Sequence, residues 1–129
     1  REESDYLPHN YTHNCVVYTG THDNDTVMGW YGTLKGADKK LCDDYLRLKN
    51  ADGEPIPREQ LPWEFVRAAM SSVADLAIIP MQDYLGLGSE ARINIPSTLG
   101  INWKWRMGNG DFTKELAGRI RSMTKLYGR

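Results

Sequence analysis

The sequence predicts an α/β fold in which two short parallel strands are joined by helices. The runs Cys15-Val16-Val17-Tyr18 and Leu76-Ala77-Ile78-Ile79 are apolar and rich in β-branched residues, the pattern of buried strands. Between them lies a stretch of helical periodicity, and a strand–helix–strand order makes the two strands parallel neighbours. Each run is followed at once by polar side chains, Gly20-Thr21-His22-Asp23-Asn24-Asp25 after the first and Gln82-Asp83 after the second. Residues just past the carboxyl ends of parallel strands share one rim of the sheet, where chemistry collects. The His22-Asp23 pair is the leading functional signal.

Taken in order, residues 1–14 read as an irregular lead-in. His9 and His13 have the four-residue spacing of a helical metal pair, but Pro8, Asn10 and Asn14 argue against a helix, so both are expected to be exposed or capping residues. The first strand is expected near Cys15–Thr19, and Thr26-Val27-Met28-Gly29-Trp30-Tyr31 continues with an apolar, aromatic face. A helix is predicted over about residues 38–48, with Leu41, Tyr45 and Leu48 on its buried side and Asp43, Asp44 and Arg47 in water. The cluster Asn50-Ala51-Asp52-Gly53-Glu54-Pro55 ends it. A further helix starts near Pro62, which suits a first helical position, and buries Trp63, Val66, Met70 and Val73. Trp30 and Trp63 are both assigned to the core.

After the second strand, residues 86–110 form a long connection rich in glycine, of the kind that is usually functional or misassigned. Trp103 and Trp105 alternate there, so both point to one face if the segment is extended. The last helix is expected to be capped by Asp111, to bury Phe112, Leu116, Ile120, Met123 and Tyr127, and to stop at Gly128.

Composition bounds the function. At 129 residues and 14.7 kDa the chain has room for one domain with a core, and not for two ordinary ones. A net charge of −1 with both signs well mixed is not the footprint of a nucleic-acid binder. No apolar stretch approaches a membrane span and no signal peptide opens the chain. Cys15 and Cys42 read as small buried residues in a reducing compartment, so a soluble cytoplasmic protein is expected.

Two parallel strands leave both sheet edges open, and a two-stranded sheet is marginal alone. The repeating strand–helix order is that of the tail of a (β/α)8 barrel. The chain also begins at Arg1 with a polar, proline-containing approach. The expectation is therefore a C-terminal portion of such a barrel, its last two strand–helix units, forming a single unit over residues 1–129. As an isolated fragment it is expected to hide its edges by self-association.

Four stretches carry a family resemblance: Gly20-Thr21-His22-Asp23-Asn24-Asp25; Met81-Gln82-Asp83-Tyr84-Leu85-Gly86-Leu87-Gly88; Glu90-Ala91-Arg92-Ile93-Asn94-Ile95-Pro96; and Asn102-Trp103-Lys104-Trp105-Arg106. In this order and spacing they resemble the C-terminal portion of the 4-α-glucanotransferases, the amylomaltases or disproportionating enzymes of the α-amylase clan. The resemblance implies a (β/α)8 barrel that transfers α-1,4-glucan segments between maltooligosaccharides or starch with retention of configuration, and no cofactor. It implies that Asp23 is the third catalytic carboxylate, which grips sugar hydroxyls and stabilises the oxocarbenium-like transition state. It further implies that His22 donates a hydrogen bond to the same sugar and that Asn94, after the eighth strand, lies near the donor or acceptor. The nucleophile and acid/base carboxylates of a retaining mechanism come from earlier strands in that family and have no counterpart here, so the fragment alone is expected to be inactive. Ser97 stands where the family pattern has glycine, and Ile101 separates Gly100 from Asn102-Trp103.

Other readings of the same residues stay open. His22 and Asp23 can simply satisfy each other. Asp25 and Asp83 read as caps or as partners of Arg92 or Arg106. Trp103 and Trp105 can stack on sugars or simply pack. A metal-dependent phosphohydrolase could use the His-Asp doublet, given at least two further converging ligands. A non-catalytic glucan-binding module would instead need an exposed aromatic platform.

Overall fold

A computed structural model describes residues 3–129; the first two residues of the expected lead-in lie outside it. The two predicted strands form and pair in parallel. Strand β1 (Val16–Tyr18) and strand β2 (Leu76–Ile78) pair in the register Val16↔Leu76, Val17↔Ala77 and Tyr18↔Ile78. The crossover between them carries helices α1 (Val27–Thr33), α2 (Gly36–Tyr45) and α3 (Leu61–Met70). After β2 come a single-turn helix α4 (Met81–Tyr84), a long irregular segment, and helix α5 (Lys114–Leu126). This is an α/β fold with a small parallel sheet.

Both strands were expected to be buried, yet only Val17 of β1 is, packed with Ala69 and Ala74 on the α3 side. Residues alternate faces along a strand, so Val16, Tyr18 and their partners Leu76 and Ile78 share the opposite face, and all four are exposed.

The rest of the core lies in and between the helices. Val27, Met28, Cys42, Leu48 and Leu61 pack where α1, α2 and the start of α3 meet. Trp63, Val66, Met70 and Met123 pack where α3 meets α5. Both cysteines are free thiols, and burial pushes Cys42 up to about 11. No helix of the described residues is long and apolar enough to cross a membrane.

Several expectations need correction. Helix α2 ends before residue 48 because Arg47 takes a left-handed conformation (φ 56°) and the Leu48 amide closes on the Asp43 carbonyl. Asp43, assigned to the wet side, is buried. It accepts a hydrogen bond from Tyr31 at 2.6 Å and lies 3.3 Å from the Lys39 ammonium, so a neutralised carboxylate takes a core position while Leu41 faces water. Val73 falls beyond α3 and is exposed, and Trp30 is also exposed, its ring edge-on to Phe65.

The N-cap of α5 is Thr113, whose hydroxyl accepts from the Leu116 amide; Asp111 instead accepts from the Gly108 amide. Phe112 consequently lies outside the helix and is exposed. Gly128 is the left-handed stop (φ 68°) that was expected. In the lead-in, His9 sits in one 3-10 turn, Pro8–Asn10, and its Nδ1 lies 2.8 Å from the Tyr45 hydroxyl.

Candidate active site

The site is made by the two segments that leave the carboxyl ends of β1 and β2. After β1, Thr21 and Asn24 close a tight turn: the Thr21 amide and hydroxyl both donate to Asn24 Oδ1, at 2.8 and 2.9 Å. Short polar side chains of this kind stabilise turns by bonding to nearby backbone. His22 and Asp23 occupy the tip. Thr26 then caps α1, its hydroxyl accepting from the Gly29 amide.

After β2, α4 holds both segments in place with its two buried polar residues. Asp83 accepts from the Thr19 hydroxyl at 2.6 Å and from the Val27 amide at 2.9 Å, fixing the segment after β1. Gln82 donates to the Ala91 carbonyl at 3.2 Å, fixing the segment after β2. Asp25 ties the two together, taking a hydrogen bond from Ser89 at 2.7 Å. Asp25 and Asp83 are thus structural, as one sequence reading had it, but their partners are hydroxyls and amides rather than Arg92 or Arg106. Burial, reinforced by the nearby Asp25 charge, outweighs the two hydrogen bonds and raises the Asp83 carboxyl above the ordinary 3.8.

On this base the three sequence-predicted site residues come together. The Asp23 carboxylate lies 3.3 Å from His22 Nε2 through one oxygen and accepts from the Asn94 amide at 2.7 Å through the other. Both side chains of the His22-Asp23 pair are about half exposed, 55% and 49%, so the group is reachable from solvent.

Two neighbours were given other partners by the sequence reading, which set Arg92 beside Asp25 or Asp83 and left Trp103 to pack or to stack on sugars. Arg92 donates to the Asp23 carbonyl at 2.7 Å and to the Asn94 carbonyl at 2.9 Å. Trp103 packs its ring against His22, with centroids 5.1 Å apart and planes at 32°. Trp103 is not extended: it takes a left-handed backbone (φ 60°) held by its amide on the Ile93 carbonyl. It therefore does not share a strand face with Trp105. Ser97, at the position where glycine was expected, has φ 62°, a conformation that favours glycine. The loop is closed by Asn102, which accepts from the Ile95 amide and donates to Thr98.

The arrangement can hold a polar, uncharged ligand by hydrogen bonds and place a carboxylate against developing positive charge. Among the described residues no three His, Cys, Asp or Glu side chains converge as a metal site requires; the doublet's neighbours are the Asn94 amide, the Trp103 indole and the Arg92 guanidinium.

Residues 1–112 match the family model described as 4-alpha-glucanotransferase. The chain is 50% identical over 125 residues to the 4-alpha-glucanotransferase of Clostridium butyricum, covering 96% of this chain and 24% of that protein. It is 46% identical over 130 residues to the chloroplastic/amyloplastic 4-alpha-glucanotransferase of Solanum tuberosum, covering 98% of this chain and 21% of that protein. Among solved structures, an amylomaltase from Streptococcus agalactiae in complex with acarbose superposes with a TM-score of 0.87 at 34% identity, over 98% of this chain and 24% of that one. The chain spans about a quarter of the length of these relatives.

Proposed function

The chain belongs to the 4-alpha-glucanotransferase family, and we propose that the whole protein transfers α-1,4-glucan segments between maltooligosaccharides or starch-type glucans by a retaining mechanism. In this reading the 129 residues are one unit, the last two strand–helix units of a (β/α)8 barrel. Their parallel strands and the polar rim after them support that placement.

The observation that carries the proposal is the Asp23 carboxylate, engaged by His22 on one oxygen and by Asn94 on the other at the rim of a parallel sheet. A carboxylate held in advance needs no reorganisation as charge develops at the anomeric carbon. Asp23 would grip ring hydroxyls of the sugar being cleaved, and those bonds strengthen as the ring flattens toward an oxocarbenium ion. His22 would donate to the same sugar, and Asn94 would hold Asp23 while facing donor or acceptor. Acarbose bound to the Streptococcus agalactiae amylomaltase supports an α-glucan ligand of this kind. Retention also needs a nucleophile and an acid/base carboxylate, which the remainder of the whole protein would supply. The 129-residue chain alone is then inactive, and the chemistry calls for no cofactor.

The test is the product ladder from maltotriose with the full-length protein and its Asp23→Asn variant, which keeps the side chain's shape and removes its charge. Glucose plus longer maltodextrins are expected from the parent, and a loss of about a hundredfold or more from a folded variant. Hydrolysis products alone from the parent would overturn the reaction class. A variant as active as the parent would make Asp23 structural.

A further inference from the structure

We propose that Arg92 is a positioning residue of this site, a clamp between the main chains of Asp23 and Asn94 that sets where the carboxylate meets the amide. The inference rests on the reading of Asp23 as the transition-state carboxylate and deepens it.

Asp23 and Asn94 are 71 residues apart in sequence and leave different strands. Among the described residues, no backbone–backbone hydrogen bond joins residues 19–26 to residues 86–95. The Ser89–Asp25 bond ties the two segments at their base. At the tip the Asn94–Asp23 bond joins the ends of two rotatable side chains; as a bond to a carboxylate it contributes about 1.5–3 kcal/mol, but it leaves the main chains beneath it free to shift.

Arg92 acts on the main chain instead. One terminal nitrogen donates to the Asp23 carbonyl at 2.7 Å, and Nε donates to the Asn94 carbonyl at 2.9 Å. The guanidinium fork is planar and rigid, so two bonds from it fix the separation of the two carbonyls. Its charge strengthens both bonds. None of the ion pairs among the described residues involves Arg92, so no carboxylate draws the fork away. Holding the carbonyl of Asp23 orients the Cα–Cβ bond that aims its carboxylate. A lysine could reach one of the carbonyls and would set no distance between them.

Such a residue affects the transition state more than ground-state binding, because the Asp23 contacts it aims are those that strengthen as the ring flattens. In the full-length protein, Arg92→Ala is expected to lower kcat by about tenfold to a hundredfold with KM little changed. Arg92→Lys should stay low, and guanidinium at sub-denaturing concentration should restore part of the Arg92→Ala activity. A crystal structure of Arg92→Ala should show Asn94 Nδ2 and Asp23 Oδ1 separated beyond hydrogen-bond range, about 3.5 Å.

Arg92→Ala with kcat within twofold of the parent, or an unchanged Asn94–Asp23 bond, would overturn the proposal. If Arg92→Ala does not fold, Arg92→Gln is read in its place for both kcat and distance. Loss of folding in all three variants would make Arg92 a structural residue and equally overturn it. Should the parent make no longer maltodextrins from maltotriose, the functional reading fails, and the crystallographic distance still decides the clamp.

Discussion

Asp83 is only 1% exposed, and its two oxygens take hydrogen bonds from the Thr19 hydroxyl and the Val27 amide. Removing the side chain would strand two inward-facing donors and leave a hole, so Asp83→Ala is expected to cost about 2–4 kcal/mol. Asparagine can keep both links, accepting from Val27 and donating to the Thr19 oxygen, without a buried charge; Asp83→Asn should stay within about 1 kcal/mol. The pH dependence follows from the raised carboxyl. Between its ordinary value of 3.8 and the higher folded value, the native state binds more protons than the unfolded chain. Stability from this group is thus full at lower pH and is lost as pH rises through the folded value. Thermal melts across acidic pH should show Asp83→Asn gaining on the parent as pH rises; a gap that widens the other way sinks the account. Asp43 runs oppositely. Burial alone would raise it, but the Tyr31 hydrogen bond and the Lys39 and Lys49 charges hold it below 3.8, so its contribution is lost on acidification. At this scale the meeting of Asn94 with the His22-Asp23 pair was expected only through the family resemblance, since no local pattern links residues so far apart. Asp43 was misread because hydrophobic periodicity cannot see a carboxylate neutralised by partners, one of which, Tyr31, lies on a different helix.

Helix α1 meets the segment after β2 at Gly29, where the neighbouring side chains as they stand leave no room for a Cβ. A Cβ on Gly29 would lie within 2.6 Å of both Asp25 carboxylate oxygens and against the Ser89 hydroxyl, the pair that ties the two site segments together. Gly29→Ala gains helix propensity in α1 but forces that bridge apart. The Asp25 and Ser89 side-chain ends can swing aside, so the cost is the loss of their bond to a charged acceptor, about 1.5–3 kcal/mol, more than the ~1 kcal/mol that alanine returns. The expected outcome is a lower melting temperature with a transfer rate that falls alongside it. A variant at least as stable as the parent would show that the segments can part freely. From sequence Gly29 was only one residue of an apolar face, since the collision involves residue 89 and no local pattern reports it. The same limit explains Arg129, whose guanidinium donates to the carbonyls of Met70 at the end of α3 and of Ser72 and Ala74 beyond it. By contrast, the start of α3 at Pro62 and the stop of α5 at Gly128 were readable, because proline and glycine act on the backbone locally.

The parallel pairing was also readable, because strand–helix–strand order leaves little choice of topology; what the sheet's second face meets was not. Val16, Tyr18, Leu76 and Ile78 form one apolar face at 45%, 46%, 52% and 41% exposure, on a sheet of two strands that is marginal by itself. In a closed barrel that face would look into the packed interior; on the 129-residue chain alone it meets water, beside strand edges with unpaired backbone groups. Contiguous apolar surface of this kind drives association. The isolated chain is therefore expected to self-associate in sedimentation experiments, and Tyr18→Lys combined with Leu76→Lys should shift it toward monomer. Two cations set diagonally on a dry face are unsolvated and also repel, so in the full-length protein the same pair should lower the melting temperature sharply. That opposite response distinguishes a barrel interior from an ordinary surface. If the isolated parent chain stays monomeric at high concentration, the face does not drive association. If the double variant is harmless in the full-length protein, the face does not look into a core, and the barrel placement of these two strands fails with it.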